Sequence, residues 1–566
     1  MTARTTIEGQ PPFAAGRHFC SPAPVRPLTA KAEQFAFDRL LRFASSSLPP
    51  SHAVRLFCCC LPPLLLGCAR SAFYQPDARP AAEVERPLPE GTDSVRNVTA
   101  GRQYAAHGGL FRVFFGAHHR RAWAAPVTAA VLDLRTAVPG GLRPTKLGGG
   151  FNSTSLSLVD TAGRPYVLRT VDKDPGRATP RLLRGTFLVN YLRDNVAATH
   201  PYAALVVPPL AAAVGVAHAT PRLFYAPAGA AQLPGDSLRK LRGQLVLLEE
   251  KFSGPAKRPG LPPGTDSLLD SGELFARVFG RGAHPADAEG LLYARLLDAW
   301  LGDWDRHAGQ WNWAARRPLA GPEPPAAVGY SPVAKDRDMV FYRADDGAVP
   351  WLLTRPFAIR HWTTFKARYT DPIGLMENGE YLDKRLLNGL SRAAFRRAAT
   401  AMQAQLTDAA IAAALARLPA AVRAADGPTL AAALRSRRAA LPAFADRFYR
   451  NLARRVGVGG TNGPDLFDVY PFADSVRITT RPAGRPGIQF QRTFHRAETR
   501  SVVLEGLGGD DVLTVHEPGP RTGRQPRLRF FGGPGRDERR GPAGGRVRFR
   551  EGSRRLGRAF DKPPKD

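Results

Sequence analysis

The residues best suited to chemistry lie in Leu301-Gly302-Asp303-Trp304-Asp305-Arg306-His307-Ala308-Gly309-Gln310-Trp311-Asn312-Trp313. A Pro/Gly-rich loop separates them from Val333-Ala334-Lys335-Asp336-Arg337-Asp338-Met339-Val340-Phe341. Acids at this spacing suit phosphoryl transfer, where the protein mostly positions and neutralises charge. That chemistry needs an acid to orient the acceptor hydroxyl and a polar side chain a turn later to hold a metal. It also needs a second acid on a neighbouring strand and an upstream cation under a Gly-rich cover. The chain offers parts of each kind in that order. A metal-dependent hydrolase using His307, Asp303, Asp305 and Asp336 is the enzyme alternative, although the histidines are too scattered for a zinc site.

The elements that must position these residues can be read from periodicity. From 126 to 260 the pattern is short strands with one helix. Lys146 to Val159 alternates after its glycines, Thr161-Ala162-Gly163-Arg164 supplies a turn, and Tyr166 to Val171 is a second strand, giving a β-hairpin. Thr186 to Ala198 reads as helix, and Arg222–Tyr225 and Gln244–Lys251 read as strands. From about 285 to 455 the chain is mostly helical. Leu291, Leu292, Leu296, Leu297, Trp300 and Leu301 share one helical face, and Ser391 to Val456 continues helical up to Gly457-Val458-Gly459-Gly460. Trp300, Trp304, Trp311 and Trp313 read as core and rim packing.

The fold class this predicts is α+β, with two lobes and a small β-rich segment over 457–535. Residues 69–125 form a lead-in region. Within it His118-His119-Arg120-Arg121 reads as surface or loop rather than metal site. The turns Gly508-Gly509-Asp510-Asp511 and Gly532-Gly533-Pro534-Gly535-Arg536-Asp537 read as plain turns in preference to calcium-binding β-solenoid repeats. Residues 521–566 carry 15 Lys+Arg against 5 Asp+Glu, and 536–566 reads as a disordered basic tail.

Gly-Asp-Trp-Asp-Arg-His-x-x-Gln resembles the catalytic loop of atypical kinases, among them the secretory-pathway, spore-coat CotH, HipA-type and phosphoinositide kinases. Asp336-Arg337-Asp338 with Phe341 resembles their metal-binding acid motif. The resemblance covers about residues 140–455 and implies a protein-kinase-like domain over 126–456, its N-lobe 126–260 and its C-lobe 261–456. It implies ATP with Mg or Mn as cofactors. Asp305 would orient the acceptor hydroxyl, Gln310 or Asn312 would face the metal, and Asp336, or else Asp338, would be the metal acid. Arg169 or Lys173 would pair the phosphates, Gly148, Gly149 and Gly150 would cover them, and Leu247–Glu250, with Glu249, would meet adenine. The chain departs from the pattern in using Arg169 where a lysine is usual, since a planar fork differs from a point charge. It departs again in lacking the helix glutamate, with Asp194 the only acid in that helix.

More broadly, the chain resembles a family of large Bacteroidetes envelope proteins. The matching segments, over about residues 95–535, are Gly148-Gly149-Gly150-Phe151, Val171-Asp172-Lys173-Asp174-Pro175, His200-Pro201-Tyr202-Ala203-Ala204, Gly302-Asp303-Trp304-Asp305-Arg306-His307 and Gly506-Leu507-Gly508-Gly509-Asp510-Asp511. Members often continue into a surface-antigen-type outer-membrane barrel. This chain ends before any barrel and so reads as a fragment, with a barrel or another envelope protein as its partner. That resemblance also supports a second function, a non-catalytic assembly or scaffold lipoprotein.

All five cysteines, Cys20, Cys58, Cys59, Cys60 and Cys68, lie in the first 68 residues. The body therefore has no disulfide framework, thiolate zinc site or cysteine nucleophile. Arg55 followed by an apolar run ending Leu64-Leu65-Leu66-Gly67-Cys68 resembles a bacterial lipoprotein signal, too short to be a transmembrane helix. Residues 1–68 are thus expected to be a leader whose Cys68 is lipidated on an outer-membrane protein. Val54 as a GTG start would explain the 53 residues ahead of the signal.

The formal charge is +31, from 80 Lys+Arg against 49 Asp+Glu. Only 11 of the cations are lysine, and heavy Arg, Ala, Pro and Gly usage points to a GC-rich genome. Zinc-finger spacing, aromatic RNA-binding signatures and helix–turn–helix patterns are missing, so nucleic acid is not the expected partner. With 43% hydrophobic residues, the chain can bury a large core.

Overall fold

The computed structural model describes residues 68–552, apart from 71, 85–94, 149–153, 178, 230–232, 234–235, 254–259, 281–285, 317–328, 486, 518–523, 543–546 and 551. Cys20, Cys58, Cys59, Cys60, Val54, Gly149 and Gly150 lie outside the described residues. The architecture is mixed α+β, with several sheets.

A seven-stranded sheet holds β1 (Val95–Val98), β2 (Val127–Val131), β3 (Leu142–Gly148), β4 (Ser155–Asp160), β5 (Pro165–Thr170), β6 (Arg222–Ala226) and β7 (Gln244–Glu250) in the order β1-β2-β6-β7-β5-β4-β3. Neighbours pair antiparallel except β2 with β6. The turn from β4 to β5 is set by Asp160, whose carboxylate accepts the Ala162 and Arg164 N–H groups at 3.0 and 2.8 Å, and by Gly163 at φ +76°. β7 reads as a continuous apolar run because both its faces are covered. Leu248 and Val246 join Leu156, Leu158 and Leu168 on one side, and Leu245 joins Tyr225 and Val171 on the other.

The helix expected over 186–198 is Phe187–Asp194 with a 3-10 turn behind it. It connects β5 to β6 and buries Val189 and Tyr191. Residues 69–125 are not a separate lead-in. Ala78, Val98, Tyr104 and Trp123 sit in the same core as the helices, and β1 extends the sheet. The surface reading of the histidine pair is also corrected. The His118 ring is buried, its Nδ1 2.6 Å from Asp346, and His119 packs edge-on against His200. The polar spelling of the segment reflects buried partners rather than solvent.

The second half is built on helix Ala288–Leu301, which buries Leu291, Leu292, Leu296, Leu297, Trp300 and Leu301. It stops at Gly302, left-handed at φ +77°. Helix Ala420–Ala453 crosses it: Trp300 Nε1 donates to the Leu434 carbonyl at 3.0 Å, and Arg437 Nε donates to the Trp300 carbonyl at 2.8 Å. A small sheet of β8 (Thr265–Asp270), β9 (Trp311–Arg316) and β10 (Gly329–Ala334), with β9 central, then returns the chain to the end of that helix. Trp300, Trp304, Trp311 and Trp313 are all buried. Among the described residues no single helix is long and apolar enough to cross a membrane.

The C-terminal segment differs from the expectation of plain turns. Strands β11 (Arg455–Gly459), β15 (Ser501–Glu505), β17 (Arg527–Phe531) and β19 (Val547–Arg550) form one parallel sheet. Strands β12 (Asp465–Pro471), β16 (Val512–Val515) and β18 (Glu538–Arg540) run parallel in a second, which the antiparallel β13 (Ser475–Pro482) and β14 (Phe490–His495) extend. Both glycine–acid turns are corners of stacked coils, and the tail reading is corrected as far as Arg550. Arginine-rich 547–550 is a strand because the preceding coil offers it a ladder.

The corners explain the spelling. A Cβ on Gly506 would lie 1.8 Å from Asp511 Oδ2, and one on Gly532 would lie 1.7 Å from Asp537 Oδ2. Each acid folds over its own glycine and takes a backbone N–H from the neighbouring corner, Asp465 N to Asp511 at 2.8 Å and Asp511 N to Asp537 at 3.3 Å. Gly460 to Asp465 is a third, divergent copy.

Burial pushes the Asp511 carboxyl up to about 8, against the Asp465 N–H that favours the carboxylate and with the nearby Asp465 and Asp537 charges adding to the rise. The unfolded carboxyl titrates near about 3.9, so the folded chain holds an extra proton between those values. Stability therefore falls as pH rises from about 4 to about 8 and levels off above. Asp511→Asn keeps an oxygen for the Asp465 N–H and removes the titration. Urea melts near both ends of that window should show the variant losing less stability with pH than the wild type, with the variant the more stable near pH 8.

Candidate functional site

Three loops bring the expected residues together. The first leaves β5 and carries Lys173, with Arg169 still on the strand. The second follows helix Ala288–Leu301 and carries Asp303, Asp305 and His307. The third follows β10 and carries Lys335, Asp336 and Asp338. Arg306, fully buried, ties the second to the third. Its NH1 donates to the Lys335 carbonyl at 2.7 Å and its NH2 to the Gln310 carbonyl at 3.1 Å, while the guanidinium lies 4.8 Å over Trp311. Lys335 N–H donates to the Gln310 carbonyl at 2.9 Å.

Behind these contacts sits Asp298, the residue that reading the sequence missed. Its carboxylate accepts Arg306 Nε at 3.1 Å and Arg337 Nε at 3.0 Å, and Arg295 NH1 lies 3.8 Å away. An acid among leucines on the buried face of a helix is itself a signal, because a buried charge needs a buried counter-charge.

The third loop is backbone-strained. Asp336 and Phe341 have φ of +57° and +61°, two of the four left-handed non-glycine residues among those described. Such positions persist where the surroundings over-determine them. Here Phe341 N–H donates to the Leu301 carbonyl at 3.1 Å and its carbonyl lies 2.7 Å from His119 Nε2.

Across the cleft, Arg169 NH1 lies 2.8 Å from Asp336 Oδ1 and Arg169 Nε 3.1 Å from Glu249 Oε1. Lys173 Nζ pairs with Asp338 Oδ2. Burial pushes the Asp336 carboxyl up, but Arg169 and then Lys173 outweigh it and hold it down to about 2. Burial depresses Lys173, yet Asp338, Asp336 and Asp305 together raise it. Burial raises Asp338 against the pull of Lys173, and pushes Glu249 up to about 7 against Arg169. Asp305 is half-buried, receives Asn378 Nδ2 at 3.3 Å, and has its own N–H on Asp303 Oδ1 at 3.2 Å. Burial raises Asp303 as well, and Asp303 Oδ2 and His307 Nε2 have no hydrogen-bond partner.

Asp305, Asp336, Asp338, Arg169 and Lys173 thus share one field of charge. Gly148, at the end of β3, pairs with Ser155 directly across from Arg169 on β5. Glu249 is turned to Arg169 rather than presented as a free edge. Gln310 is buried, with its backbone carbonyl engaged as above. Asn312 is buried, and its Nδ2 donates to the Phe252 carbonyl. Asp194, the lone helix acid, is bound bidentately by Arg120 at 2.7 and 2.6 Å and does not reach Arg169. Two carboxylates, with the buried Asp303 Oδ2 in the same field of charge and without a hydrogen-bond partner, suit a hard divalent ion such as Mg or Mn.

A second cluster lies behind Phe341. Ligand atoms of His119, His200 and Asp426 come within 4.8 Å of one another. Tyr202 N–H donates to His200 Nδ1 at 3.2 Å, which leaves the His200 proton on Nε2, 3.5 Å from Asp426. His119 directs its Nε2 proton to the Phe341 carbonyl, and burial, then His200, push its pKa down to about 3. With that proton on Nε2, His200 faces Asp426 as a donor rather than a metal ligand, and the cluster fixes the strained Phe341.

No family model, curated protein or solved structure matches the chain.

Proposed function

We propose that the chain is a cell-envelope lipoprotein with an atypical kinase-like domain that transfers phosphate from ATP to a hydroxyl. The observation carrying this reading is the meeting of Asp305, Asp336 and Asp338 with Arg169 and Lys173 in one cleft. The strand order β3-β4-β5-β7-β6, with helix Phe187–Asp194 between β5 and β6, supports an N-lobe. The helices after β8 and the β9–β10 hairpin support a C-lobe. Glu249 on β7 stands in for the missing helix glutamate by pairing with Arg169.

Asp336 and Asp338 would hold the divalent ion, which would supply positive charge to neutralise the phosphates. Lys173 and Arg169 are placed to change partner from these carboxylates to phosphates. Asp305 is placed to accept the proton of the acceptor hydroxyl, with Asn378 fixing its carboxylate.

A thermal-shift titration with ATP and Mn tests this. At 100 times the dissociation constant, ligand adds about 2.7 kcal/mol of stability, and Asp336→Ala should abolish the effect. No stabilisation of the wild type would sink the nucleotide reading. A second reading, a non-catalytic assembly lipoprotein, is favoured by the ion pairs that already neutralise both cations. It expects that flat titration together with palmitate labelling that depends on Cys68.

A further inference from the structure

We propose that one face of the molecule docks on an anionic lipid surface, and that this face surrounds the point where the leader joins the body. The proposal is independent of whether Asp305 and Asp336 support catalysis. It uses the lipoprotein reading only for the nature of the covalent anchor.

Ten large hydrophobic side chains are exposed among the described residues. Six of them, Leu110, Val113, Phe114, Leu182, Trp351 and Phe357, lie on three segments that touch one another. Cys68 is exposed and bridges Thr186, and Asn190 Nδ2 donates to its carbonyl at 2.9 Å. That fixes the end of the leader beside Leu182, which is 90% exposed. The next residue in the chain after Thr186, Phe187, meets Phe115 with ring centroids 6.2 Å apart. Phe115 ends helix Gly109–Phe115, which buries none of its residues and exposes Leu110, Val113 and Phe114. The loop after it abuts the start of helix Ala348–Leu353, where a Cβ on Gly347 would lie 2.2 Å from Gly116 N. That helix exposes Trp351, and Phe357 follows it. Exposed apolar residues this concentrated mark an interaction surface.

Charge identifies the occupant. Residues 94–132 contain five arginines, 175–193 four arginines and 347–370 four basic residues, with no acid inside those stretches. Arg120, Arg193, Arg360 and Lys366 pair with Asp194, Asp174, Asp371 and Asp345 outside them, so the charge of this face rests on the others, Arg112 and Arg355 among them. Arg112 donates to the Ala105 carbonyl, and Arg355 donates to the Trp351 carbonyl with its guanidinium 4.5 Å over the Trp351 ring. Neither charge is met by a carboxylate in these contacts. Apolar side chains and tryptophan beside uncompensated arginines are what an anionic membrane interface binds. The leader adds a second argument: its apolar run, Leu56 to Leu66, is joined through Gly67 to Cys68, which lies on this face. A lipid on Cys68, or that run itself, would hold the face at the bilayer, and one anchor plus a basic patch gives firm attachment.

The test uses the full chain with Cys68→Ser, so that no acyl group contributes, and vesicles of phosphatidylcholine with or without phosphatidylglycerol. Binding should be at least roughly tenfold tighter to the anionic vesicles. Lipids brominated in their acyl chains should quench tryptophan fluorescence, and Trp351→Phe should remove most of that quenching. Leu110→Glu/Phe114→Glu should weaken binding at least roughly tenfold. Should that pair alter the thermal melt, Arg112→Glu/Arg355→Glu gives the same comparison by charge alone. Equal binding to both vesicles, quenching unchanged in Trp351→Phe, or a patch variant that abolishes self-association while vesicle binding stays intact would each overturn the proposal. The last of these would assign the face to a second copy of the chain.

Discussion

Asp298→Ala is expected to lower the unfolding free energy by about 3–5 kcal/mol, the cost of removing one partner from a buried ion cluster. Asp298 has no exposed surface, and the guanidinium groups it faces, on Arg306 and Arg337, are buried with it. Without the carboxylate, Arg337 remains in the core with no carboxylate partner, and Arg306 keeps only Asp303, 3.7 Å away. Arg306 retains the Lys335 and Gln310 carbonyls, but Arg337 loses the carboxylate its Nε donates to, and its NH1 and NH2 already lack partners. Burial, with the Arg306 charge adding to it, already depresses Arg337 against the pull of Asp298. The loss should therefore come mainly from Arg337. Asp298→Ala/Arg337→Met, which removes the stranded charge and keeps the aliphatic stem, should recover a large part of the stability. Urea melts of the two variants decide it. A single variant within about 1 kcal/mol of wild type, the ordinary range for a surface change, would show that the cluster is not what holds the two loops together.

The sequence showed the cleft more clearly than its supports, and the reason is physical. Asp305, Asp336 and Asp338 are legible because their spacing on either side of a strand pair is short-range information. The hairpin of β4 and β5 is legible because alternation and a Thr-Ala-Gly-Arg turn are local too. What stayed hidden depends on partners far along the chain. His118 pairs with Asp346 across 228 residues, so a pair that looks like loop chemistry is buried. Glu249 reaches Arg169 diagonally, because strand register sets it opposite Val167 and Arg169 opposite Leu247, and no local pattern specifies that register. The stacked corners at Asp511 and Asp537 read as single turns because each coil gains its meaning only from the next.

On the phosphotransferase reading, Asp305→Asn should cut phosphoryl transfer by about 10²- to 10⁴-fold, the range for losing a positioned acid–base group. It should leave the Mn–ATP thermal shift in place. The separation follows from geometry. Asp305 has no ion pair to Arg169 or Lys173; its nearest polar contacts are Asn378 Nδ2 at 3.3 Å and His307 Nε2 at 3.9 Å. Asp336 and Asp338 are the groups that hold the two cations and would hold the divalent ion. Nucleotide affinity therefore resides with Asp336, and the acceptor proton with Asp305. Asparagine preserves the shape and can still accept the Asn378 amide, so a loss of rate reports the lost base rather than a collapsed loop. Asn378→Ala should lower the rate less, since it only positions the carboxylate, and Asp336→Ala should lose both binding and rate. Transfer of labelled γ-phosphate measured beside the thermal shift separates the three. A wild-type chain that binds Mn–ATP yet transfers nothing would place Asp305 among residues kept for the fold, and one in which Asp305→Asn transfers at the wild-type rate would remove it as the base.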